Sequence, residues 1–310
     1  MNLEDPILIT GAGGLLGSHL VDCLVSKGYR NVFAVQREDC DLIDSDNVRS
    51  FFNLCAPRYV FHCAGRVYGV GGSTNNKSKT FYENVVINTN VINAAAVTGV
   101  KKILVLGSGA VYPSKTIDSD AVESEIFNGP PHSSHEAYAY SKRVALAMLQ
   151  AYGHDYALSW CYVVATNIYG YRKICEPDLE SAPVIEALVY KFLRAQRTGS
   201  KIEVWGDGSE LRDFLYVKDA AFAIEALMRR CTGTINLGTG NLVSIRQVVE
   251  LLTEITGVKS RIEWNTARAA GQLRRSYDLS KLKALGFVPK HTLYAGLSEY
   301  WRKVTSDMPM

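Results

Sequence analysis

The sequence carries little excess charge. Its 34 Lys and Arg stand against 31 Asp and Glu over 310 residues, a formal +3, and no long basic run interrupts the mixture. A surface for nucleic acid or for an anionic membrane is therefore not indicated. No apolar run approaches the ~18 residues of a membrane span. No basic-then-apolar leader precedes the first strand, so a cytoplasmic protein is expected. The seven cysteines, at 23, 40, 55, 63, 161, 175 and 231, contain no Cys-x-x-Cys. An odd, unpatterned set reads as reduced thiols, most of them packed as small hydrophobes. The six histidines show no zinc spacing, so no metal centre is expected. Linkers, low-complexity runs and internal repeats are missing too. What remains is an ordinary globular composition, 47% hydrophobic and 21% charged, long enough for one large α/β domain or two intimate ones.

The first stretch with a chemical meaning is near the start. Pro6 to Thr10 is a short apolar run and reads as a buried strand. Gly11-Ala12-Gly13-Gly14-Leu15-Leu16-Gly17 follows, and then an amphipathic stretch to Lys27. Strand, glycine turn and helix in that order form a dinucleotide cradle. Gly11 permits the tight turn, Gly14 the approach of a pyrophosphate, and Gly17 close helix–strand packing. The helix start offers free N–H groups to phosphate. Gly11, Gly14, Leu15, Leu16 and Gly17 are thus candidate cofactor contacts. The second strand, Asn31 to Val35, ends at Gln36-Arg37-Glu38-Asp39. Arg37 favours a 2′-phosphate and so NADP(H), while the neighbouring acids keep NAD(H) open. Asp41 and Leu42 are positioned to touch adenine. A third strand from Tyr59 ends in small residues, and Ala64 and Gly65 leave space for a cofactor. A helix from Phe81 to Ala96 carries Asn84, Asn88 and Asn90. A fourth strand, Lys102 to Gly107, delivers Ser108 to the carboxyl edge of the sheet, where catalytic groups of such folds sit.

Tyr138 and Lys142 are four residues apart, on one face of an expected helix from Tyr138 to Tyr152. A phenol beside an ammonium is a tunable acid. The cation is expected to lower the phenol pKa from about 10 toward neutral. Such a group exchanges a hydroxyl proton while hydride moves at the attached carbon.

The glycine turn, Ser108 and Tyr138-x-x-x-Lys142, in that order, resemble the extended short-chain dehydrogenase/reductases. The resemblance continues through Asn167-Ile168-Tyr169-Gly170, Trp205-Gly206-Asp207-Gly208, Arg212 to Asp219 and Asn236 to Gly240, stretches typical of members acting on nucleotide sugars. Leu106 to Pro113, Glu123-Ser124-Glu125, Pro183 to Leu188 and Val204-Trp205-Gly206 look like the GDP-fucose synthase group, whose members epimerise and then reduce. The resemblance implies that Ser108 and Tyr138 hold the sugar oxygen. It implies that Lys142 holds the nicotinamide ribose, and that Asn167, Val184, Arg212, Arg274 and Arg275 meet the substrate. It also implies a homodimer through the two long helices. Two positions depart from that group. Ala110 and Pro183 stand where it uses a cysteine and a histidine to move protons at the carbons flanking the ketone. Reduction without epimerisation is therefore expected. His132, His135 and Cys175 read as surface or packing residues rather than substitutes for that pair. Ser108-Gly109-Ala110 replaces the Thr-Asp-Glu of the 4,6-dehydratases, which argues against water elimination.

The second half reads as a substrate lobe. Helices are expected over Ala182–Arg197, Val217–Arg230, Ser244 to Gly257 and Leu293–Val304, with strands at Lys201–Trp205 and Thr234–Leu237. Arg212 is expected on a loop, and Trp205 in the core. The expectation is a Rossmann-type, doubly wound parallel α/β sheet over 1–167, with a smaller C-terminal α/β lobe over 168–310 that some strands and helices leave to cross back. The function expected is NAD(P)-dependent C4 keto-reduction of a nucleoside diphosphate sugar, with GDP favoured as carrier. An NAD-dependent C4 epimerase or C4 dehydrogenase is the alternative, and a non-catalytic cofactor-sensing module the remote one.

Overall fold

The computed structural model describes residues 1–114, 119–173, 177–268 and 271–308. In chain order the elements are β1 (Ile7–Thr10), α1 (Leu15–Ser26), β2 (Val32–Val35), α2 (Ser45–Cys55), β3 (Tyr59–His62), α3 (Val70–Asn75), α4 (Lys77–Val97), β4 (Lys102–Leu106), α5 (Glu136–Asp155), β5 (Ser159–Ala165) and β6 (Asn167–Tyr169). The second half adds α6 (Val184–Thr198), β7 (Ile202–Trp205), β8 (Leu211–Tyr216), α7 (Val217–Arg230), β9 (Gly233–Leu237), β10 (Leu242–Ser244), α8 (Ile245–Thr256), β11 (Ile262–Asn265), α9 (Ser280–Ala284) and α10 (Leu293–Asp307).

The main sheet runs β2-β1-β3-β4-β5-β9, and every pairing in it is parallel. All four residues of β1 and of β3 are buried, as expected of strands covered on both faces by helices. The chain moves outward from β1 to β2, then returns to place β3 on the other side of β1. That reversal opens a crevice at the carboxyl ends of β1 and β3.

After β6 the chain builds two small sheets, β10-β8-β6 and β11-β7. It then returns. β9 pairs with β5 in the main sheet, Cys161 opposite Gly233, and α7 covers α1. The buried Glu225 of α7 fastens that packing. It takes the Lys27 ammonium, accepts from the Tyr29 hydroxyl at 3.0 Å and pairs with Arg229 at 3.1 Å. The lobe is thus an excursion rather than a separate tail.

Several boundaries differ from the sequence expectation, each for a local reason. Arg212 is on β8, not on a loop, because β8 pairs on both sides, Arg212 opposite Val243 and Asn167 opposite Phe214. α6 begins at Val184, two residues later than the expected Ala182, with Pro183 as its N-cap. The helix α2 begins where Asp44 accepts the N–H groups of Asp46 and Asn47, an N-cap signal the reading passed over. α8 keeps its expected bounds: it starts at the Ser244–Gln247 capping box and ends at Gly257 in the left-handed region, φ 65°. Among the described residues no helix is long and apolar enough to cross a membrane.

Candidate active site

The glycine turn forms because its backbone has no room for side chains. Gly11 has φ 72°, and a Cβ there would be 2.7 Å from the Ala64 nitrogen at the end of β3. A Cβ on Gly17 would meet the Gly11 carbonyl oxygen at 2.1 Å. The turn closes with the Gly14 N–H donating to the Gly11 carbonyl at 2.9 Å. Leu16 sends its side chain into the core, so what it offers a cofactor is its N–H. At the end of β2, Gln36 reaches back over Gly13, while Arg37 is exposed beside it. Asp41 uses its carboxylate locally, accepting from the Ile43 N–H at 3.1 Å, and the Leu42 carbonyl accepts from Asn90 Nδ2 at 3.0 Å. The turn geometry therefore fits a dinucleotide, with an exposed guanidinium where a 2′-phosphate would lie.

The small residues after β3 open onto Lys142. A Cβ on Gly65 would stand 3.5 Å from Lys142 Nζ. Asn84 of α4 clamps this loop, accepting from the Arg66 N–H at 2.9 Å and donating to the Arg66 carbonyl at 3.0 Å. It is one of three asparagines that the sequence placed on a helix without a role.

Ser108 ends the extended backbone after β4 and caps a short 3-10 turn, its Oγ accepting from the Ala110 N–H at 3.3 Å. Its hydroxyl faces the Tyr138 phenol closely enough to favour the ionised form of that phenol. Lys142 Nζ lies 5.8 Å from the Tyr138 ring centroid and donates to the Leu106 carbonyl at 2.9 Å. The Tyr162 hydroxyl, under Gly107, donates to the Lys142 carbonyl at 3.0 Å and holds that turn of α5 to β5. Serine, tyrosine and lysine thus converge as the spacing predicted.

The electrostatics differ from the prediction. Burial pushes the Tyr138 phenol up to about 12, against the nearby Ser108 hydroxyl, which pulls it down. Burial brings the Lys142 amine down to about 8. The expected lowering of Tyr138 by Lys142 is therefore overturned: desolvation of the phenolate dominates, and the ammonium is directed to a main-chain carbonyl.

Ala110, the position of interest for proton transfer, packs its methyl group with Tyr138 and Ala139. The Tyr277 ring fills the space beside Gly109, where a Cβ would be 1.8 Å from its hydroxyl. Sequence reading gave Tyr277 no part; the glycine directly after Ser108 was the available signal that a bulky neighbour abuts the catalytic turn.

The basic residues separate into two groups. Arg212 and Arg275 come near enough to depress Arg212 to about 10, after burial. Both also act on His132 and His135. Arg274, one residue away on extended backbone, turns elsewhere and pairs with Asp120 at 3.3 Å. Asn167 Nδ2 donates to the Asp213 carbonyl at 3.0 Å and so supports β8 beside Arg212. Val184 opens α6 just after Pro183. Trp205, read as core, is half-buried with the Arg268 guanidinium 5.0 Å from its ring and Gly71 against its edge. Cys175 lies outside the described residues.

The family model for the NAD dependent epimerase/dehydratase family matches residues 7–238. The putative GDP-L-fucose synthase 2 of Arabidopsis thaliana is 36% identical over 296 residues, spanning 94% of this chain and 89% of its own. A GDP-6-OMe-4-keto-L-xylo-heptose reductase from C. jejuni has a TM-score of 0.91 and 25% identity, with 99% of each chain covered. A GDP-mannoheptose C4 reductase from Campylobacter jejuni, with NADP bound, has a TM-score of 0.86 and 27% identity over 98% of this chain and 99% of that one. With glycine turn, Ser108, Tyr138 and Lys142 assembled in one crevice, the chain belongs to the NAD-dependent epimerase/dehydratase family of extended short-chain dehydrogenase/reductases.

Proposed function

We propose that this protein is an NADPH-dependent reductase of the C4 ketone of a GDP-linked sugar, and that it does not epimerise the flanking carbons. The observation that carries the reading is the Ser108–Tyr138 hydroxyl pair beside Lys142, at the mouth of the glycine-turn crevice. Relatives named as GDP-sugar synthases and C4 reductases, one of them with NADP bound, support the substrate and the cofactor.

The residues divide the work. Gly11, Gly14 and the first N–H groups of α1 hold the pyrophosphate, Arg37 the 2′-phosphate, and Lys142 the nicotinamide ribose. When bound, the reduced nicotinamide supplies hydride to the ketone carbon. Ser108 donates a hydrogen bond to the ketone oxygen, and Tyr138 gives that oxygen a proton as negative charge develops on it. A phenol held near 12 keeps its proton at neutral pH. Protonated, it can give that proton to the ketone oxygen as hydride arrives, and in the reverse direction the same group would take it back. Arg212 and Arg275 grip the diphosphate, since guanidinium matches phosphate with paired hydrogen bonds. Ala110 and Pro183 carry no transferable proton. The two long helices α4 and α5 pair two copies across a two-fold axis.

Purified protein mixed with NADPH and a GDP-4-keto-6-deoxy sugar should consume NADPH, read as absorbance loss. Tyr138→Phe should lower kcat by about 100-fold or more while leaving NADPH affinity nearly unchanged. Unaltered turnover in that variant would remove Tyr138 from the acid role. In deuterated water the product should carry no deuterium at C3 or C5 by mass spectrometry. Incorporation there would show that another group replaces the missing proton carriers.

A further inference from the structure

Backbone pairing sets Glu210 in a row with the two arginines assigned to the diphosphate. The segment after Gln272 runs parallel to the start of β8. The Leu211 N–H donates to the Leu273 carbonyl at 2.8 Å, and the Arg275 N–H to the Leu211 carbonyl at 3.3 Å. Leu211 is thus paired with Arg274, and those two share one face. Glu210, Arg212 and Arg275 share the other. The ladder on the opposite edge of β8 extends to Glu210, whose carbonyl accepts from the Ile245 N–H at 3.1 Å, so the two-residue alternation holds there. Two residues beyond Arg275, Tyr277 abuts Gly109, beside Ser108. One end of the row is therefore at the catalytic turn. Glu210 is at the other end, one repeat past Arg212, or roughly 7 Å along the strand. Glu210 is only 7% exposed, and its Oε2 is enclosed without a hydrogen-bond partner among the described residues. The neighbouring guanidiniums are turned to other acceptors: Arg212 Nη1 donates to the Leu211 carbonyl at 2.8 Å, and Arg275 Nε to Gln272 Oε1 at 3.4 Å. A carboxylate oxygen is an acceptor, so what this one lacks is a donor.

We propose that Glu210 binds the ribose of the nucleotide sugar, its carboxylate accepting from the 2′- and 3′-hydroxyls, and that it makes the site selective for ribonucleotide over deoxyribonucleotide carriers. The order of the row carries the assignment. The reacting sugar is at Ser108 and Tyr138, and the diphosphate is at Arg212 and Arg275. The next group along a nucleoside diphosphate is the ribose, with the base beyond it. A ribose brings two adjacent O–H donors, the complement of a carboxylate with an unused oxygen, and bonds from hydroxyl to carboxylate are of the strong, charge-assisted kind. Acid and phosphates are not set directly against each other, because the guanidiniums stand at the diphosphate. The inference rests on the nucleotide-sugar reading and adds to it the residue that reads the sugar of the nucleoside.

The test is calorimetry on the NADP⁺-loaded protein with three ligands of equal charge: GDP, 2′-deoxy-GDP and inosine diphosphate, which lacks the 2-amino group of guanine. The wild type should bind GDP about tenfold or more tightly than 2′-deoxy-GDP, the worth of one hydrogen bond to a charged group. In Glu210→Gln that ratio should fall to about threefold or less, while 2′-deoxy-GDP binds as well as to the wild type or better, since a negative charge has gone from beside the diphosphate. Glu210→Asp keeps the charge one methylene short, and its ratio should lie between the two. The ratio cancels general electrostatics and any change in stability common to both ligands. Equal affinity of the wild type for GDP and 2′-deoxy-GDP overturns the proposal, and so does a ratio that both variants retain. A preference for GDP over inosine diphosphate that Glu210→Gln abolishes, with the ribose ratio unchanged, overturns it in favour of contact with the base. Failure of the wild type to bind any of the three overturns the nucleotide-sugar reading itself.

Discussion

His62 has no exposure and is held between Thr10 and Asn88, with Nδ1 2.7 Å from Thr10 Oγ1 and Nε2 3.0 Å from Asn88 Oδ1. The neutral ring satisfies both partners, accepting from the hydroxyl and donating to the amide oxygen. Burial, with Lys142 nearby, lowers the ring to about 3. The unfolded chain binds a proton there near 6.5. Its contribution is therefore complete above pH 6.5 and disappears as the pH falls from 6.5 toward 3. Urea unfolding should show the wild type losing about 4 to 5 kcal/mol from this residue across that window. His62→Asn should be less stable at pH 7.5, yet lose less on going to pH 4.5. If both proteins decline in parallel, His62 does not titrate as described. His135 is shifted in the same direction, so the substitution flattens the acid limb only in part.

At the scale of elements, the strand–turn–helix unit depends on Gly17. Its absent Cβ would sit 2.1 Å from the Gly11 carbonyl oxygen and 2.9 Å from Ala12 Cα. Both neighbours are main chain and cannot turn aside. Gly17→Ala should cost about 3 kcal/mol, at the upper end of overpacking, by denaturant titration. Gly14→Ala, which meets only the Gly11 oxygen at 3.1 Å, should cost less than half of that. This unit was legible in sequence because all its determinants are local. So were α5 with Tyr138 and Lys142, and α7, which matched to the residue. The short strands β6, β10 and β11 were not. Each has only three or four residues, too few for a period, and exists only through partners distant in the chain. The site behaves likewise. Tyr138 and Lys142 could be read from spacing and Ser108 from its place at the end of β4, whereas the influence of Arg212 and Arg275 on His135 needed the folded lobe. The Tyr138 pKa was misjudged because spacing reports the neighbouring amine but not the loss of water around the phenol.

For the whole molecule, α4 and α5 expose Tyr82, Phe81 and Tyr140, at 62%, 40% and 37%. Aromatic surface of this kind suits an isologous contact. Light scattering should therefore give the mass of two chains, and the Tyr82→Glu/Tyr140→Glu double variant should give half of it. An unchanged mass in that variant would shift the interface to another face. The return of β9 and α7 has a separate consequence. Severing the chain after residue 167 would leave the outer edge of β5 with a bare row of amides and carbonyls, and α1 without Glu225 to receive Lys27. Such a fragment should self-associate through that edge instead of folding as an autonomous nucleotide binder. The sheet begun by the first half of the chain is completed by the segment that leaves the second.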